Sequence, residues 1–198
     1  MDHAAELNNP VPKKPLVFSK PETAILSDGA TFQMPDFSEN VHFEGELVLR
    51  IDQEGKNIEE SAAWQHIDAI TLGVDFTARD LQSRCKEKGH PWEIAKAFDG
   101  SAPLGTFIEV PESLKTSGLE FELRVNDNQV QLGHTKDLIF PIPTLLAYLS
   151  TFFTLRPGDL VFTGTPAGVG PVSPGDRFEG NILSPSGKQK LLEFETSL

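Results

Sequence analysis

The feature that most constrains the fold is a pair of glutamates, Glu44 and Glu46, set two residues apart in the apolar stretch VHFEGELVL. Side chains at positions i and i+2 of a β-strand point to the same face, so residues 41–51 are predicted to form a strand that carries both acids on one side. Two neighbouring carboxylates repel each other, and in apolar surroundings they need positive charge between them. A divalent cation supplies that charge and accepts oxygen ligands.

A third acid, Asp75, stands at the end of a second predicted strand, residues 69–76, which is apolar enough to be buried on both faces. Acids are rarely buried unless they are paired or bound to a metal. We therefore interpret Glu44, Glu46 and Asp75 as a carboxylate triad that binds Mg²⁺ or Mn²⁺, and oxygen ligands of this kind also accept Ca²⁺. The alternative is a solvated strand face, with Asp75 capping the helix that follows.

Two polar residues in the helix predicted after Asp75 are candidates for binding a ligand. Arg79 and Gln82 are three residues apart, so they share a helix face close to Asp75. Beside a metal, an arginine and a glutamine can hold the carboxylate and the carbonyl of an anionic compound. The alternative for Arg79 is a surface ion pair with Asp80 or Asp75.

Candidate catalytic groups lie at Lys96 and near the N-terminus. Lys96 is flanked by alanines, and a lysine in apolar surroundings can stabilise an oxyanion or donate a proton, although a surface lysine is the simpler interpretation. His3 and Glu6 are three residues apart on a predicted helical stub. A glutamate that binds one imidazole nitrogen orients the other to activate water, but this spacing is also common by chance.

Two further positions carry weaker signals. The loop GTPAGVG lacks the Gly-Lys-Ser/Thr ending of a nucleotide-binding loop, yet the Thr165 hydroxyl and free backbone N–H groups can contact an anion there. His42 falls on the same strand face as Glu44 and Glu46. Since Mg²⁺ prefers oxygen ligands, we interpret His42 as a hydrogen-bonded neighbour of the site and not as a ligand.

Composition and charge limit the class of protein. The 198 residues suffice for one domain, and 15 prolines, 16 glycines and 14 phenylalanines predict many short strands joined by turns. We expect an α+β fold. The formal charge of −12 argues against a nucleic-acid partner. The single cysteine, Cys85, the absence of a signal-peptide pattern and the lack of any apolar run of about 18 residues predict a cytoplasmic protein that does not enter a membrane.

The remaining elements follow from turn signals and apolar periodicity. Thr77 is predicted to cap a helix over residues 78–88 that Gly89 ends. The other predicted elements are a strand at residues 15–21, helices at residues 58–66 and 143–153, strands within residues 106–133 with a hairpin turn around Asp127 and Asn128, a strand at residues 160–163, and a hairpin in the C-terminal tail.

Taken together, these segments resemble the fumarylacetoacetate hydrolase family, specifically its small single-domain acylpyruvate hydrolase and oxaloacetate decarboxylase group. The matching segments run from residue 3 to residue 180, and the combination of VDFTARDLQ with LVFTGTPAGVGP is the most specific part. The other matching segments are HAAEL, PLVFSKPETAI, VHFEGEL, GHPWEIAKAFDGSAPLG and LRVNDNQVQLGHTKDLIF.

The resemblance implies a mixed β-sandwich or roll with a few flanking helices, a lid stub at residues 1–14, a catalytic domain at residues 15–198, and a homodimer. It implies a small anionic oxo-acid substrate and a water-activating dyad of His3 and Glu6 on the lid. Family members carry a strand and a Gly-x-Asn-Tyr turn before this histidine, whereas His3 is the third residue here. The remaining site residues that it implies are Glu44, Glu46 and Asp75 on the metal, and Arg79, Gln82, Lys96, Thr165 and Lys20 around the substrate.

The activity that the resemblance implies is metal-dependent hydrolysis of a carbon–carbon bond in a 2,4-dioxo acid of the acylpyruvate type, giving pyruvate and a carboxylic acid. Oxaloacetate decarboxylation, or isomerisation of a hydroxymuconate-type diacid, would use the same metal site without activating water. A catalytically silent binding protein is a third alternative, which the presence of all three carboxylates and of Lys96 disfavours.

Overall fold

The structure is a computed structural model that describes residues 12–198. The strands are β1 (Ile25–Leu26), β2 (Thr31–Gln33), β3 (Val41–Phe43), β4 (Gly45–Ile51), β5 (Ile67–Val74), β6 (Thr77–Ala78), β7 (Ala102–Pro103), β8 (Ile108–Glu109), β9 (Glu120–Val125), β10 (Asn128–His134), β11 (Leu160–Phe162), β12 (Gly170–Pro171), β13 (Arg177–Ser184) and β14 (Gly187–Ser197). The helices are α1 (Arg79–Lys88), α2 (Glu93–Lys96), α3 (Glu112–Thr116) and α4 (Ile142–Phe152), with 3-10 helices at Glu22–Ala24, Glu60–His66 and Thr135–Asp137.

The strands assemble into four sheets of mostly antiparallel pairs. A five-stranded sheet has the order β10-β9-β13-β14-β2, and a four-stranded sheet has the order β11-β4-β5-β8. A three-stranded sheet, β12-β3-β6, and a parallel pair, β1-β7, complete the set. Mixed sheets with few helices confirm the predicted α+β class.

Four phenylalanine rings pack against one another within the apolar core. Phe178 and Phe194 stack with ring centroids 4.7 Å apart, and Phe76 meets each of them edge-on at 5.8 Å. Phe32 stacks on Phe76 at 4.1 Å, and all four rings are buried. Because Phe76 directly follows Asp75, this aromatic packing fixes the backbone from which the Asp75 side chain projects.

The chain passes from one sheet into another at Glu44, between β3 and β4. β3 pairs with β6, whereas β4 pairs with β5, and the same antiparallel register applies on both sides of the break. Gly45 lies opposite Val74, so Glu44 lies opposite Asp75, whose N–H donates to the Glu44 carbonyl oxygen at 2.8 Å. Opposite residues of an antiparallel pair project to one face, which brings two of the three acids together.

Several predicted elements are confirmed with small shifts. The helix expected at residues 143–153 is α4, and the strand expected at residues 160–163 is β11. Residues 58–66 contain a 3-10 helix, Glu60–His66, in place of an α-helix. The hairpin turn between β9 and β10 is centred on Asn126 and Asp127, both with positive φ, one residue earlier than expected.

Two local predictions are wrong. Residues 15–21 form no strand, because prolines at both ends lack N–H donors and no neighbouring strand pairs with the segment. Thr77 does not cap a helix, since it belongs to β6 and pairs with β3. The first N–H of α1, that of Arg79, instead donates to the Asn40 carbonyl oxygen at 2.8 Å. Gly89 does end α1 in the left-handed conformation, with φ of 67°.

Among residues 12–198, no helix is long and apolar enough to cross a membrane. His3 and Glu6 lie outside the described residues. The division of the chain into a lid stub at residues 1–14 and a catalytic domain at residues 15–198 stays a prediction.

Candidate metal centre

The sheet corner at Glu44 brings together the three acids that the sequence singled out. One carboxylate oxygen from each of Glu44, Glu46 and Asp75 lies within 4.8 Å of the other two. All three side chains are buried, and no residue is more than 6% exposed. Glu46 joins the other two because it stands two residues after Glu44 along β4, opposite Gly73. The solvated strand face considered as the alternative is thereby excluded.

Three cations surround two of these acids. Lys96 Nζ lies 2.8 Å from Glu44 Oε2 and 2.5 Å from Asp75 Oδ2. Arg79 Nη2 lies 2.5 Å from Glu44 Oε1 on the other side of that carboxylate. Lys20 Nζ lies 2.8 Å from Asp75 Oδ1, but off the direction of a hydrogen bond. These contacts explain why two carboxylates can lie side by side in a buried setting.

Glu46 differs from the other two acids because it has no cationic partner in residues 12–198. Its Oε2 accepts a hydrogen bond of 2.5 Å from the backbone N–H of Gly164. Gly164 has φ of 100°, a backbone conformation that glycine adopts readily and other residues rarely adopt. This conformation directs the Gly164 N–H toward Glu46. Burial raises the pKa of Glu46 to about 8, and the charges of Asp75 and Glu44 add to that effect.

The pKa of Glu44 moves in the opposite direction. Burial alone would raise the pKa of Glu44, but the charges and hydrogen bonds of Lys96 and Arg79 outweigh burial and lower it to about 2. Burial would likewise lower the pKa of Lys96, yet Asp75 and Glu44 raise it overall. The cluster therefore holds an ionised Glu44 and a charged Lys96 next to Glu46, which has no cation of the described chain beside its carboxyl group.

The donor set fits a hard divalent cation. It consists of oxygen atoms from three acids, which is the ligand type that Mg²⁺, Mn²⁺ and Ca²⁺ prefer. Asp75 Oδ1 is buried and lies 2.8 Å from Lys20 Nζ, but it accepts no well-directed hydrogen bond, so it has a lone pair available to an ion. Glu46 lacks a counter-charge. An ion bound by these oxygens would supply the positive charge that Glu46 lacks.

Lys96 is buried, contrary to the simpler interpretation of a surface lysine, and its ammonium group is saturated. Its three N–H donors are taken by Glu44, by Asp75 and by the Thr77 hydroxyl at 2.6 Å. The ring of Phe18 lies beneath the ammonium, with its centroid 5.0 Å from Nζ. Lys96 therefore acts first as a fixed positive charge, and it can donate to a bound oxyanion only by releasing one of these partners.

Lys20 is held by the backbone of Lys96 and by Ser101. Its Nζ donates to the carbonyl oxygen of Lys96, to the carbonyl oxygen of Ser101 at 3.0 Å and to the Ser101 hydroxyl at 2.9 Å. Burial lowers the pKa of Lys20, and the charge of Asp75 offsets this only in part. The segment around Lys20 is thus attached to the site by a side chain and not by strand pairing.

Arg79 and Gln82 are together, as the helix spacing predicted. Arg79 Nη1 donates to Gln82 Oε1 at 2.9 Å, and the guanidinium pairs with Glu44 and not with Asp80 or Asp75. The Arg79 Nε atom is buried and has no hydrogen-bond partner among the described residues. His42 is half-buried nearby, and burial together with the charge of Arg79 lowers its pKa.

A buried glutamine that the sequence reasoning missed organises the corner. Gln131, on β10, accepts a hydrogen bond from the Gly45 N–H at 2.8 Å through Oε1. Its Nε2 donates to Thr165 Oγ1 at 2.8 Å and to the Pro166 carbonyl oxygen at 2.9 Å. The Thr165 hydroxyl in turn donates to the Gly45 carbonyl oxygen at 2.8 Å. Gln131 and Thr165 thus fix the residue between Glu44 and Glu46.

The structure therefore brings eight predicted site residues to one place. Seven of them are joined by hydrogen bonds or ion pairs, or lie in the carboxylate cluster, and Thr165 reaches the cluster through the backbone of Gly45. The groups that sequence reasoning missed are Gln131, Thr77, Ser101 and Phe18, whereas the N–H of Gly164 belongs to the loop whose N–H groups were expected to contact an anion. None of these carries a charge, so no signal in the sequence distinguished them from ordinary strand and loop residues.

The chain is similar in sequence to a known protein family and to curated relatives. The family described as fumarylacetoacetate (FAA) hydrolase C-terminal matches residues 1–195. Among curated relatives, an oxaloacetate tautomerase, named as mitochondrial, from Oryza sativa subsp. japonica is 41% identical over 183 residues, which cover 91% of this chain and 81% of that protein.

Two solved structures share the fold. Fumarylpyruvate hydrolase from Pseudomonas aeruginosa, in complex with Mn²⁺ and pyruvate, matches with a TM-score of 0.90 at 37% identity, covering 99% of this chain and 84% of that chain. The 5-carboxymethyl-2-hydroxymuconate delta-isomerase from Mycobacterium smegmatis matches with a TM-score of 0.83 at 34% identity, covering 100% of this chain and 74% of that chain.

Proposed function

The chain belongs to the fumarylacetoacetate hydrolase family, and from this premise we propose that it is a divalent-metal-dependent enzyme that stabilises the enolate of a small anionic 2-oxo acid. The observation that carries the proposal is the cluster of Glu44, Glu46 and Asp75, in which three buried carboxylates meet and Glu46 lacks any cationic partner in the described chain. Mg²⁺ and Mn²⁺ suit these oxygen ligands.

The three acids would hold the ion, and the surrounding residues would bind the substrate. A bound Mg²⁺ or Mn²⁺ supplies Lewis acidity, which polarises a 2-oxo group and favours negative charge on its oxygen. Arg79, which Gln82 orients, presents a guanidinium to the substrate carboxylate. Lys96 and Lys20 keep the potential positive where the enolate charge develops.

The first activity that fits this chemistry is hydrolysis of an acylpyruvate. His3, oriented by Glu6, would take a proton from water as the water oxygen bonds to the carbonyl carbon farthest from the carboxylate. The carbon–carbon bond next to that carbon then breaks, its electron pair leaves on the pyruvate fragment as the enolate, and a proton converts the enolate to pyruvate. The similarity to fumarylpyruvate hydrolase, whose structure holds Mn²⁺ and pyruvate, supports this assignment.

Tautomerisation of oxaloacetate is the second candidate, and the specific observation in its favour is 41% identity to the rice tautomerase. This reaction moves a proton between carbon 3 and the 2-oxo oxygen through the same enolate, and it needs no attacking water. Decarboxylation of oxaloacetate and isomerisation of a hydroxymuconate-type diacid, the activity named for the Mycobacterium smegmatis relative, also pass through an enolate.

One set of assays separates these activities. The full chain with Mn²⁺ would be given acetylpyruvate, with pyruvate release as readout, and the enol form of oxaloacetate, with ultraviolet absorbance as readout. His3→Ala should reduce hydrolysis at least about 100-fold if water activation depends on this residue, and should change tautomerisation far less. His90→Ala, a change at an exposed histidine, serves as the matched control.

The outcomes discriminate among the proposals. Tautomerisation without hydrolysis would assign the second candidate, and hydrolysis that His3→Ala leaves unchanged would refute the dyad. Tight Mn²⁺ binding with no turnover of any oxo acid would favour the catalytically silent binding protein. The homodimer and the cytoplasmic location stay predictions, and sedimentation equilibrium would test the first of them.

A further inference from the structure

Lys86 is a cation near the site that the proposed function does not use. It stands on α1 four residues after Gln82, which itself follows Arg79 by three, so the three side chains share one face of the helix. Gln82 is buried, whereas Lys86 is exposed. This face of α1 therefore runs outward from the carboxylate cluster to solvent, and Lys86 stands at its outer end.

Two aromatic rings connect Lys86 to the buried site. Its Nζ lies over the Trp92 ring, 5.3 Å from the centroid, and the centroids of the Trp92 and Phe18 rings are 6.2 Å apart. Lys96 Nζ, inside the cluster, lies over the Phe18 ring at 5.0 Å. The face of an aromatic ring attracts a cation, so Trp92 holds the Lys86 ammonium on the side of α1 that faces the site.

The Lys86 ammonium has no anionic partner in the part of the chain that the structure describes. Within residues 12–198, the Trp92 ring is its one close contact, and no carboxylate lies within ion-pair distance of it. Burial lowers the pKa of Lys86, the charge of Arg79 adds to that effect, and the charge of Glu44 acts against it. Lys86 is therefore within electrostatic reach of the site. A cation held in place without a carboxylate is suited to bind an anion from outside the chain.

We infer that Lys86 is a specificity-determining residue that binds a second carboxylate at the far end of the substrate, and that it thereby selects 2-oxo diacids over 2-oxo monoacids of the same length. The inference deepens the proposed function and rests on it, because the first carboxylate has to lie at the metal and Arg79. A substrate held there and extended along the face of α1 points its other end toward Lys86.

A contact at the far end of the substrate affects binding more than chemistry. It is the same before and during the reaction, so it should lower KM and leave kcat nearly unchanged. The formal charge of the chain is −12, which repels a doubly charged anion. A cation beside the site offsets that repulsion locally, where a diacid has to enter.

Matched 2-oxo acids test the inference without turnover. 2-Oxoheptanedioate and 2-oxoheptanoate differ only at the far end, where one carries a carboxylate and the other a methyl group, and 2-oxopentanedioate and 2-oxopentanoate form a shorter pair. None has a 4-oxo group, so none can be cleaved as an acylpyruvate. Isothermal titration into the full chain with Mn²⁺, corrected for binding of Mn²⁺ by each acid in solution, measures the affinities. We expect the diacid of at least one pair to bind about three- to tenfold more tightly than its monoacid.

Variants on α1 identify the cause of that preference. Lys86→Met removes the charge and keeps an unbranched side chain, so it should abolish the preference and change the affinity for the monoacid less than about twofold. Lys86→Arg should retain most of the preference. Lys88→Met is the matched control and should leave the preference unchanged, because Lys88 is exposed on the same helix but lies on its opposite side.

Failure of the inference differs from failure of the proposed function. Equal affinity for diacid and monoacid in both pairs would overturn the inference, and so would a preference that Lys86→Met leaves unchanged. Loss of the preference in Lys88→Met as well would assign it to the overall charge of the helix and not to a contact with Lys86. In all three cases Mn²⁺-dependent binding of 2-oxo acids persists. If the folded chain binds none of these acids with Mn²⁺, the proposed function itself is overturned.

Discussion

Buried carboxylates occur in two regions of the molecule, and the contrast between them shows what distinguishes a site from a structural ion pair. Glu122, on β9, is as deeply buried as Asp75, and each has one buried oxygen that accepts no hydrogen bond. Lys188 Nζ lies 2.6 Å and Asn181 Nδ2 3.1 Å from the other Glu122 oxygen. A buried acid with one oxygen that accepts no hydrogen bond is therefore insufficient evidence for a metal site.

The two regions differ in how their charges are distributed. Glu122 is a single buried acid with two cations within reach, Lys188 and Arg124, the latter at 3.5 Å. At the sheet corner, three acids meet, and Glu46 has only the Gly164 N–H. Phe121 and Leu123 on either side of Glu122 face the core, so Glu122 projects to the outer face of the sheet, where long side chains cover it. The feature that indicates a metal site is therefore a buried carboxylate, here Glu46, that has no cation from residues 12–198 within ion-pair distance.

The sharpest test of this contrast compares Glu46→Gln with Glu122→Gln, which make the same chemical change in the two regions. Glu46→Gln removes a charged ligand, so Mn²⁺ affinity should fall at least about 100-fold, and turnover of oxo acids should fall with it. Glu122→Gln should change Mn²⁺ affinity less than about twofold, because it leaves all three ligands in place. Electron paramagnetic resonance of free Mn²⁺ measures both affinities, and circular dichroism confirms that both variants fold.

Equal losses of Mn²⁺ affinity in the two variants would show that the corner is not the metal site. Equal retention would show that two carboxylates suffice and that Glu46 serves another purpose. Either result would remove the basis for treating an uncompensated acid as the sign of a site.

The stability of the metal-free protein should depend on pH, and this smaller effect also arises because Glu46 has no cation of the described residues beside it. The pKa of Glu46 is about 8 in the fold against an ordinary value of 4.5, so between these values the folded state holds a proton that the unfolded state has lost. Stability of the metal-free fold should therefore fall as pH rises from 6 to 8, by about 1.4 kcal/mol per unit near pH 6 and by about half as much per unit near pH 8. Mn²⁺ must displace that proton, so its affinity should rise about tenfold per unit near pH 6 and less steeply as pH approaches 8.

Urea unfolding without metal and Mn²⁺ titrations at pH 6, 7 and 8 measure the two slopes. Glu46→Gln should abolish the slope of stability, whereas Glu122→Gln should keep both slopes. A metal affinity independent of pH between 6 and 8 would contradict the raised pKa of Glu46. The pKa of Glu44 is shifted in the opposite direction, to about 2. The stability that the ionised Glu44 contributes is lost only as pH falls from 4.5 toward 2, so Glu44 does not affect the range from pH 6 to 8.

The charged members of the site could be predicted from sequence because their chemistry is local. An acid pair at strand spacing and an arginine and glutamine at helix spacing each indicate a shared face, whatever the rest of the fold does. The convergence of Glu44 with Asp75 could not be derived in that way. It depends on the register between two strands and on the change of sheet at Glu44, which are long-range properties.

Gln131 shows why the uncharged part of the site was missed. Along β10, the polar Gln131 points inward and is 1% exposed, while its apolar neighbour Leu132 is 49% exposed. This inverts the usual alternation, in which apolar residues face the core. Only the position of Gly45 and Pro166 in the folded chain explains the inversion, because each offers a backbone group to the amide.

A last comparison sets Gln131→Met against Asn181→Leu, since both remove a buried side-chain amide. Gln131 satisfies the backbone around Gly45, and Asn181 donates to Glu122. Gln131→Met leaves the buried Gly45 N–H without its acceptor and should cost about 1–3 kcal/mol in the free energy of unfolding, measured in urea. Asn181→Leu removes one of the two donors to Glu122 Oε1 and should cost less, because Lys188 still donates to that oxygen.

Only Gln131→Met should also weaken Mn²⁺ binding, by about three- to tenfold, because it frees the residue between two ligands and lets Glu44 and Glu46 move apart. If the role of Gln131 is only structural, Gln131→Met should lower stability but have the same Mn²⁺ affinity as Asn181→Leu. Weakened Mn²⁺ binding in both variants would mean that the two regions are coupled through the β9–β10 pair, and that the outer face of the sheet contributes to the site after all.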